Sequence, residues 1–368
     1  MPYITANIIY KLLNENTLIA GIEVFIFSII IILAFTYGTL YIKKKKFVYQ
    51  KYLHKNLEDW LSTGIIEDAD KNVVALPTLK FLLLLKNPIL RQLTINELLA
   101  LKRTFWGDAA KNITVLYVQL GLKDFSLKKM KSNKWHVKAR AIQELYLMQQ
   151  REALPRIYKN VNSQNEFIRM EAQIGIIHLI GFDGLRFLNV IDNKLTEWQQ
   201  IKLLDQLSKF PLNEDILAAD IPRWLKSPNE TVIMFAMKLV DRYHRYSEYD
   251  NVAACLSHEV EPVRKQAVNT LHRIQNENTA QLFIAQYDKE TYFNKLNILN
   301  NLEDIATEKE SEFLTRLLQE PNDTLKLRAA RILAKCHSKG LKTLEHAGQL
   351  QAVPYQQIYL HIKGEMAR

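Results

Sequence analysis

The sequence predicts an all-α protein in which one N-terminal membrane-crossing helix leads into a long array of helical hairpins. Three observations carry that prediction. Glycine supplies only 11 of the 368 residues, under half of its usual share of about 7%. A run of 19 residues without a formal charge, Val24 to Ile42, lies near the N-terminus. Finally, a triplet of apolar residue, alanine and apolar residue, spaced four apart, recurs at an almost constant interval. Scarce glycine argues against dinucleotide-binding folds, phosphate-binding loops and turn-rich β architectures. The abundant Leu, Ile, Lys, Glu and Asn suit helices instead.

The uncharged run reads VFIFSIIIILAFTYGTLYI, and Leu18 to Ile22 extend it beyond a single Glu23. A helix over residues 18–42 is long enough to cross a hydrocarbon core of about 30 Å. Lys43, Lys44, Lys45 and Lys46 follow at once, whereas the N-terminal flank sets only Lys11 against Glu15 and Glu23. This lysine bias places the C-terminal side in the cytoplasm and leaves residues 1–17 as a short tail outside. The expected location is therefore the inner (cytoplasmic) membrane, spanned once. A cleaved signal peptide would carry its charge before a shorter apolar core, with small residues after it. Here four lysines stand where those small residues would be.

Residues 43–131 form a basic juxtamembrane helical region. Phe47 to Gly64 reads as a helix, with Tyr49, Leu53, Leu57 and Trp60 at helical spacing. Residues 65–75 are a connection, and Pro77 starts an apolar helix through KFLLLLK that Asn87-Pro88 breaks. The burst from Phe81 to Leu85 is too short to span and predicts a buried core helix. Thr94 to Phe105 follows, with Thr94 and Glu97 in the form of a capping box. Ala110 stands one period before Ala141, which makes Trp106 to Val115 a candidate for a degenerate repeat.

The array occupies residues 132–368. Its triplets are Val137-Ala141-Leu145, Ile168-Ala172-Ile176, Val232-Ala236-Val240, Val263-Ala267-Leu271 and Leu325-Ala329-Leu333. Blurred copies at Leu203 with Leu207 and at Ile298 with Leu302 fill the gaps, giving intervals of 31, 31, 33, 31, 31 and 31 residues. Such a period marks a solenoid whose units bury their faces against their neighbours. Polar turns precede the alanine helices at Ser132-Asn133, Asn162 to Asn165, Ser227-Pro228-Asn229, Glu261-Pro262 and Pro321-Asn322-Asp323. Asn and Ser cap a helix there and Pro is tolerated in its first turn. The alanine lets two backbones approach while the flanking apolar residues fill the groove. No linker rich in Gly, Pro or Ser interrupts residues 132–368, so one continuous array is expected.

The segments VKARAIQEL, IRMEAQIGI, VRKQAVNTL and LKLRAARIL resemble the second helix of HEAT-like repeats, with an apolar residue, a nearby cation and a central alanine. The 31-residue unit is most similar to the variety first named for phycobilisome lyases, and the resemblance covers about residues 132–345. It implies a right-handed α-solenoid of about seven HEAT-like hairpins. It implies no single function, since such proteins include scaffolds, adaptors, transport factors and a few enzymes. The copies near 199 and 294 lack the apolar first position and the alanine, so different packing is expected there.

Charge locates the candidate surfaces. The formal total is +10, yet six lysines and no acids lie between Lys43 and Lys55, and Lys102 to Arg140 nets +8. Everything else nets −4. The residues expected to lie against an anionic lipid surface are Lys43, Lys44, Lys45, Lys46, Lys51, Lys55, Lys128, Lys129 and Lys131, each contributing about 1 kcal/mol. Phe125, Met130 and Trp135 interleave with the later cations. Basic residues mixed with aromatics also suit nucleic acid, but the anchor holds this stretch near lipid. Trp135 alternatively covers the end of the repeat core.

A second set forms a ladder one residue after each triplet's first member. Lys138, Arg169, Arg264, Lys295 and Lys326 are its cations, with Gln200 and Ile233 between them. The ladder either binds a partner or holds repeats in register by bonding to neighbouring loop carbonyls and carboxylates, and HEAT-like families commonly use the position in the second way.

No catalytic residue, metal site or cofactor is expected. The nine histidines show no zinc-protease spacing, and Cys255 with His258 and Cys336 with His337 are isolated half-motifs. Two cysteines far apart imply no disulfide framework. The expected function is a membrane-anchored cytoplasmic scaffold or adaptor for a protein partner, for example an integral envelope enzyme such as a glycosyltransferase. The alternatives are a nucleic-acid-binding HEAT-like protein and, by analogy with the lyases, a protein acting on a bound prosthetic group. The net −4 outside the basic stretches weighs against nucleic acid.

Overall fold

A computed structural model describes residues 15–64, 79–350 and 352–366 of the chain. The expected tail up to residue 14, the connection at 65–75 and the helix start at Pro77 lie outside the described residues. Among those described, every regular element is helical. The first, α1, runs from Glu15 to Gly64 without a break. At 1.5 Å per residue it is about 75 Å long, more than twice a hydrocarbon core. The apolar segment 18–42 and the Phe47–Gly64 helix are therefore one element. No residue with helix-breaking chemistry separates Ile42 from Phe47, and lysines propagate a helix well.

The chain divides into two compact units between Gln150 and Arg151. In the first, α1 is followed by α2 (Leu79–Leu84), α3 (Pro88–Thr104), α4 (Asp108–Gln119), α5 (Leu122–Lys129) and α6 (Trp135–Leu147). Asn87 caps α3 by accepting from the Ile89 amide, with Pro88 at the first helical position. Thr94 is thus interior to α3 and returns its hydroxyl to Leu90 O. The expected capping box at Thr94 and Glu97 does not form, because the Asn-Pro pair starts the helix six residues sooner. Phe81, Leu85, Leu93, Leu98, Ile113, Leu116 and Leu122 close a core against which Tyr49 of α1 packs.

In the second unit, short helices alternate with the alanine-bearing ones. These are α7 (Leu154–Tyr158), α8 (Glu166–Ile180), a 3-10 stretch Gly181–Asn189, α9 (Glu197–Leu207), α10 (Glu214–Trp224) and α11 (Glu230–Arg242). They continue with α12 (Tyr249–Ala254), α13 (Glu261–Arg273), α14 (Thr279–Tyr287), α15 (Tyr292–Leu302), α16 (Ser311–Leu317) and α17 (Asp323–Cys336). Asn165, Asn229 and Asn322 cap α8, α11 and α17 through their side chains. Gly181 ends α8 at a positive φ of 62°, where a side chain would press on Phe210.

Within hairpins α10 packs on α11, α12 on α13 and α16 on α17, while α11, α13, α15 and α17 stack in sequence. Ala141, Ala172, Ala236, Ala267 and Ala329 are all fully buried. In the two blurred repeats the triplet's first position holds Gln199 and Asn294, both buried. Gln199 completes a capping box with Thr196 instead of filling the groove. Past the array, α18 (Gly340–Leu350) and α19 (Gln357–Met366) fold onto α17. Tyr355 donates to Leu318 O at 2.8 Å, and Arg331 grips Glu365 through two bonds of 2.7 and 2.9 Å. The last repeat is covered by these helices, as the end of a repeat array requires.

Candidate functional site

From Leu18 to Val48 the large apolar side chains of α1 stand exposed, with Phe25, Ile32 and Phe35 among them. Its hydroxyls need no solvent. Ser28 donates to Val24 O, Thr36 to Ile32 O and Thr39 to Thr36 O, at 2.7, 2.7 and 2.8 Å. A helix that returns its Ser and Thr hydroxyls to its own backbone and shows hydrocarbon outward fits a bilayer, where an unsatisfied group costs several kcal/mol. Lys43, Lys44, Lys45, Lys46, Lys51 and Lys55 are exposed around the next turns. Among them, Tyr49 packs on the first unit's core and His54 Nδ1 lies 3.2 Å from Glu97 Oε2 of α3. The apolar segment is joined to a folded core by continuous helix.

Lys128 and Lys131 are exposed, but Lys129 is not. Its ammonium lies 2.6 Å from both carboxylate oxygens of Glu144 and also donates to Gln92 Oε1. The expectation that Lys129 faces lipid is therefore corrected. Glu144 is 1% exposed and draws three helices together: it also accepts from Gln92 Nε2 at 2.7 Å and from Ser126 Oγ at 2.6 Å. Arg140 approaches at 3.5 Å from one turn earlier. Burial pushes the Lys129 ammonium below its ordinary range against the opposing pull of Glu144. Burial likewise raises the Tyr117 phenol beside Ser126. This network ties α6 to α3 and α5. Trp135, at the start of α6, is 46% exposed and meets the His136 ring edge-on, so it does not close the core.

Four of the five ladder cations engage their own chain. Arg169 donates to Ser163 O at 2.6 Å. Arg264 donates to His258 O and Glu259 O at 2.9 Å each, and holds both oxygens of Glu290 at 2.7 and 3.0 Å. Lys295 lies 3.9 Å from Glu320 and over the Tyr287 ring, while Lys326 lies 3.2 Å from Asp323 and over Tyr355. Of the two uncharged members, Gln200 follows the same rule and donates to Leu195 O. Lys138 is half-buried in α6. The hydrogen bond to Glu290 raises Arg264 further, so it is charged at any relevant pH. For Glu290, burial pushes upward, but bonds from Arg264 and Gln286 outweigh it and leave the carboxyl below its usual range.

Burial pushes the Cys255 thiol up to about 11, so it is not a thiolate nucleophile near neutrality. Among the described residues, no group of three or more His, Cys, Asp or Glu could hold a metal ion. Sequence reasoning passed over Glu144 and Glu290, two buried carboxylates that each hold a cation. Glu144 had a legible signal: it falls on the apolar stripe of Ala141, Leu145 and Met148, where an acid must find a partner.

These features define a class: an all-α helical-repeat protein with one N-terminal helix long and apolar enough to cross a membrane. No family model and no curated protein matches the chain. Among solved structures, an engineered protein is 13% identical with a TM-score of 0.35, covering 76% of this chain and 86% of that one. Human deoxyhypusine hydroxylase with glycerol is 11% identical at a TM-score of 0.29, covering 87% and 97%. The CpcE–CpcF complex of the phycocyanin lyase of Nostoc sp. is 14% identical at 0.24, covering 80% and 98%.

Proposed function

We propose that this protein is a membrane-anchored scaffold. Residues 18–42 cross the cytoplasmic membrane, the N-terminal tail lies outside, and both helical units lie in the cytoplasm, where the repeats hold a protein partner. The observation that carries this reading is the continuity of α1. The same helix presents an unpaired apolar surface, then a collar of exposed lysines, with Tyr49 and His54 among them set against a folded core. Lysines at that collar favour the negatively charged cytoplasmic leaflet. Holding a partner at the membrane raises its local concentration there without any new contact. An integral envelope enzyme, such as a glycosyltransferase, is a partner that such an anchor would serve.

The test has two arms. In intact membranes the protein should resist alkaline carbonate extraction, and a reporter fluorescent only in the cytoplasm, fused after Arg368, should light up. Release by carbonate would refute the anchor, and a dark fusion would refute the orientation. Crosslinking in the same membranes, read by mass spectrometry, then identifies what the repeats hold. A chain that crosslinks to no protein above background would refute the scaffold reading.

A further inference from the structure

In the second unit a cavity of about 290 Å³ is lined by Ser257, His258, Arg264, Gln286 and Lys289. It lies where the turn before α13 meets the end of α14. At the lower end of ligand-pocket sizes, it suits a small polar group rather than a nucleotide. What such a pocket can take depends on which hydrogen-bonding groups the protein has left unspent.

The carboxylate nearest the pocket is spent. Glu290 Oε1 receives Arg264 Nε at 2.7 Å and Gln286 Nε2 at 2.6 Å, and Oε2 receives the Arg264 fork at 3.0 Å. Two carboxylates of the flanking turns are engaged too, Glu261 by the Thr291 hydroxyl and Glu230 by Lys194, while Glu259 is exposed and outside the lining. His258 uses Nδ1 to accept from the Val260 amide at 3.0 Å, which leaves its proton on Nε2 as a donor. Three lining groups can donate, the Ser257 hydroxyl, His258 Nε2–H and the exposed Lys289 ammonium, beside the Gln286 amide oxygen as an acceptor. Behind them stands Arg264, whose charge is fixed by Glu290.

We propose that this pocket binds a phosphate monoester group. Three donors of different reach, one of them an ammonium, suit the three terminal oxygens of a dianion. Charge-assisted bonds of this kind are the strong ones. Arg264 is the floor of the site and not a free ligand, because its guanidinium is engaged by Glu290 and by the His258 and Glu259 carbonyls. The proposal is independent of the membrane anchor. The phosphate belongs either to a small molecule or to a phosphorylated side chain, and the two sources differ in what surrounds the same headgroup.

The experiment uses the full chain in detergent micelles. Inorganic phosphate and a phosphoserine peptide are titrated by calorimetry, with acetate as a control, against wild type, Lys289→Glu and His258→Ala. Saturable phosphate binding is expected, with acetate weaker. Lys289→Glu should abolish it, and His258→Ala should weaken it about tenfold, the effect of losing one hydrogen bond to a charged group. Unfolding temperatures should be unchanged in Lys289→Glu, which separates lost binding from lost fold. Tighter binding of the peptide than of inorganic phosphate would assign the group to a phosphorylated side chain, and equal binding to a small molecule. Unsaturable binding to wild type, or unaltered affinity in Lys289→Glu, would overturn the proposal.

Discussion

Replacing either partner of the buried Glu144–Lys129 pair should destabilise the first unit, and the two replacements should not be equivalent. Glu144 is 1% exposed and Lys129 12%. In Lys129→Met the carboxylate keeps Ser126 and Gln92 as donors, but its charge is left uncompensated except by Arg140, 3.5 Å away and half in solvent. Breaking a buried pair in this way costs about 3–5 kcal/mol. In Glu144→Gln the ammonium is the orphan. Its long stem lets it swing toward water, so the cost should be smaller, about 1–3 kcal/mol. The double variant Glu144→Gln/Lys129→Met should cost less than the sum of the single ones, because no buried charge remains. Hydrogen exchange of the intact protein in micelles reads this locally, through opening free energies of peptides from α3, α5 and α6. A Lys129→Met chain with wild-type protection in all three helices would refute the network as described.

The other predictions concern register and charge. Ala267→Asp places an unpaired carboxylate at a fully buried crossing of α13 with its neighbours, and should lower the stability of the second unit by roughly 3 kcal/mol or more. Unchanged thermal unfolding would refute the repeat register. Burial pushes Lys102 down to about 8 from its ordinary 10.5, although it donates to Thr114 Oγ1. Between those two values the unfolded chain binds more protons than the folded one, so this group adds stability as pH rises through the window. Lys102→Met should therefore raise the unfolding temperature at pH 7 and lose most of that advantage by pH 10. An advantage independent of pH would rule out a buried charge as its source.

Much of this architecture was legible in residue patterns, for identifiable reasons. The alanines of α8, α11, α13 and α17 were readable because small side chains at a fixed period have one common cause, close helix crossing. Asn165, Asn229 and Asn322 were readable as caps because their chemistry acts within three residues. Thr94 was misread because a capping box and an interior hydroxyl share the same spacing, and only the competing Asn87-Pro88 start distinguishes them. Lys129 was misread because a cation in a basic run defaults to solvent. Its partner lies 15 positions away on another helix, and the pairing exists only once α5 and α6 have packed. The same non-locality hid the phosphate-sized pocket, whose lining residues come from three separate elements.

The unbroken course of α1 has a mechanical consequence. From Ile42 to Gly64 the helix extends about 33 Å beyond the apolar segment, with no glycine or proline among residues 43–63 to act as a hinge. Once that segment sits in a bilayer, the rest becomes a lever with its fulcrum at the headgroups. A change in tilt of about 10°, well within the range that bilayer thickness imposes, sweeps the far end through roughly 6 Å. The first unit, clasped to this lever through Tyr49 and His54, would register the thickness of the surrounding lipid as a displacement.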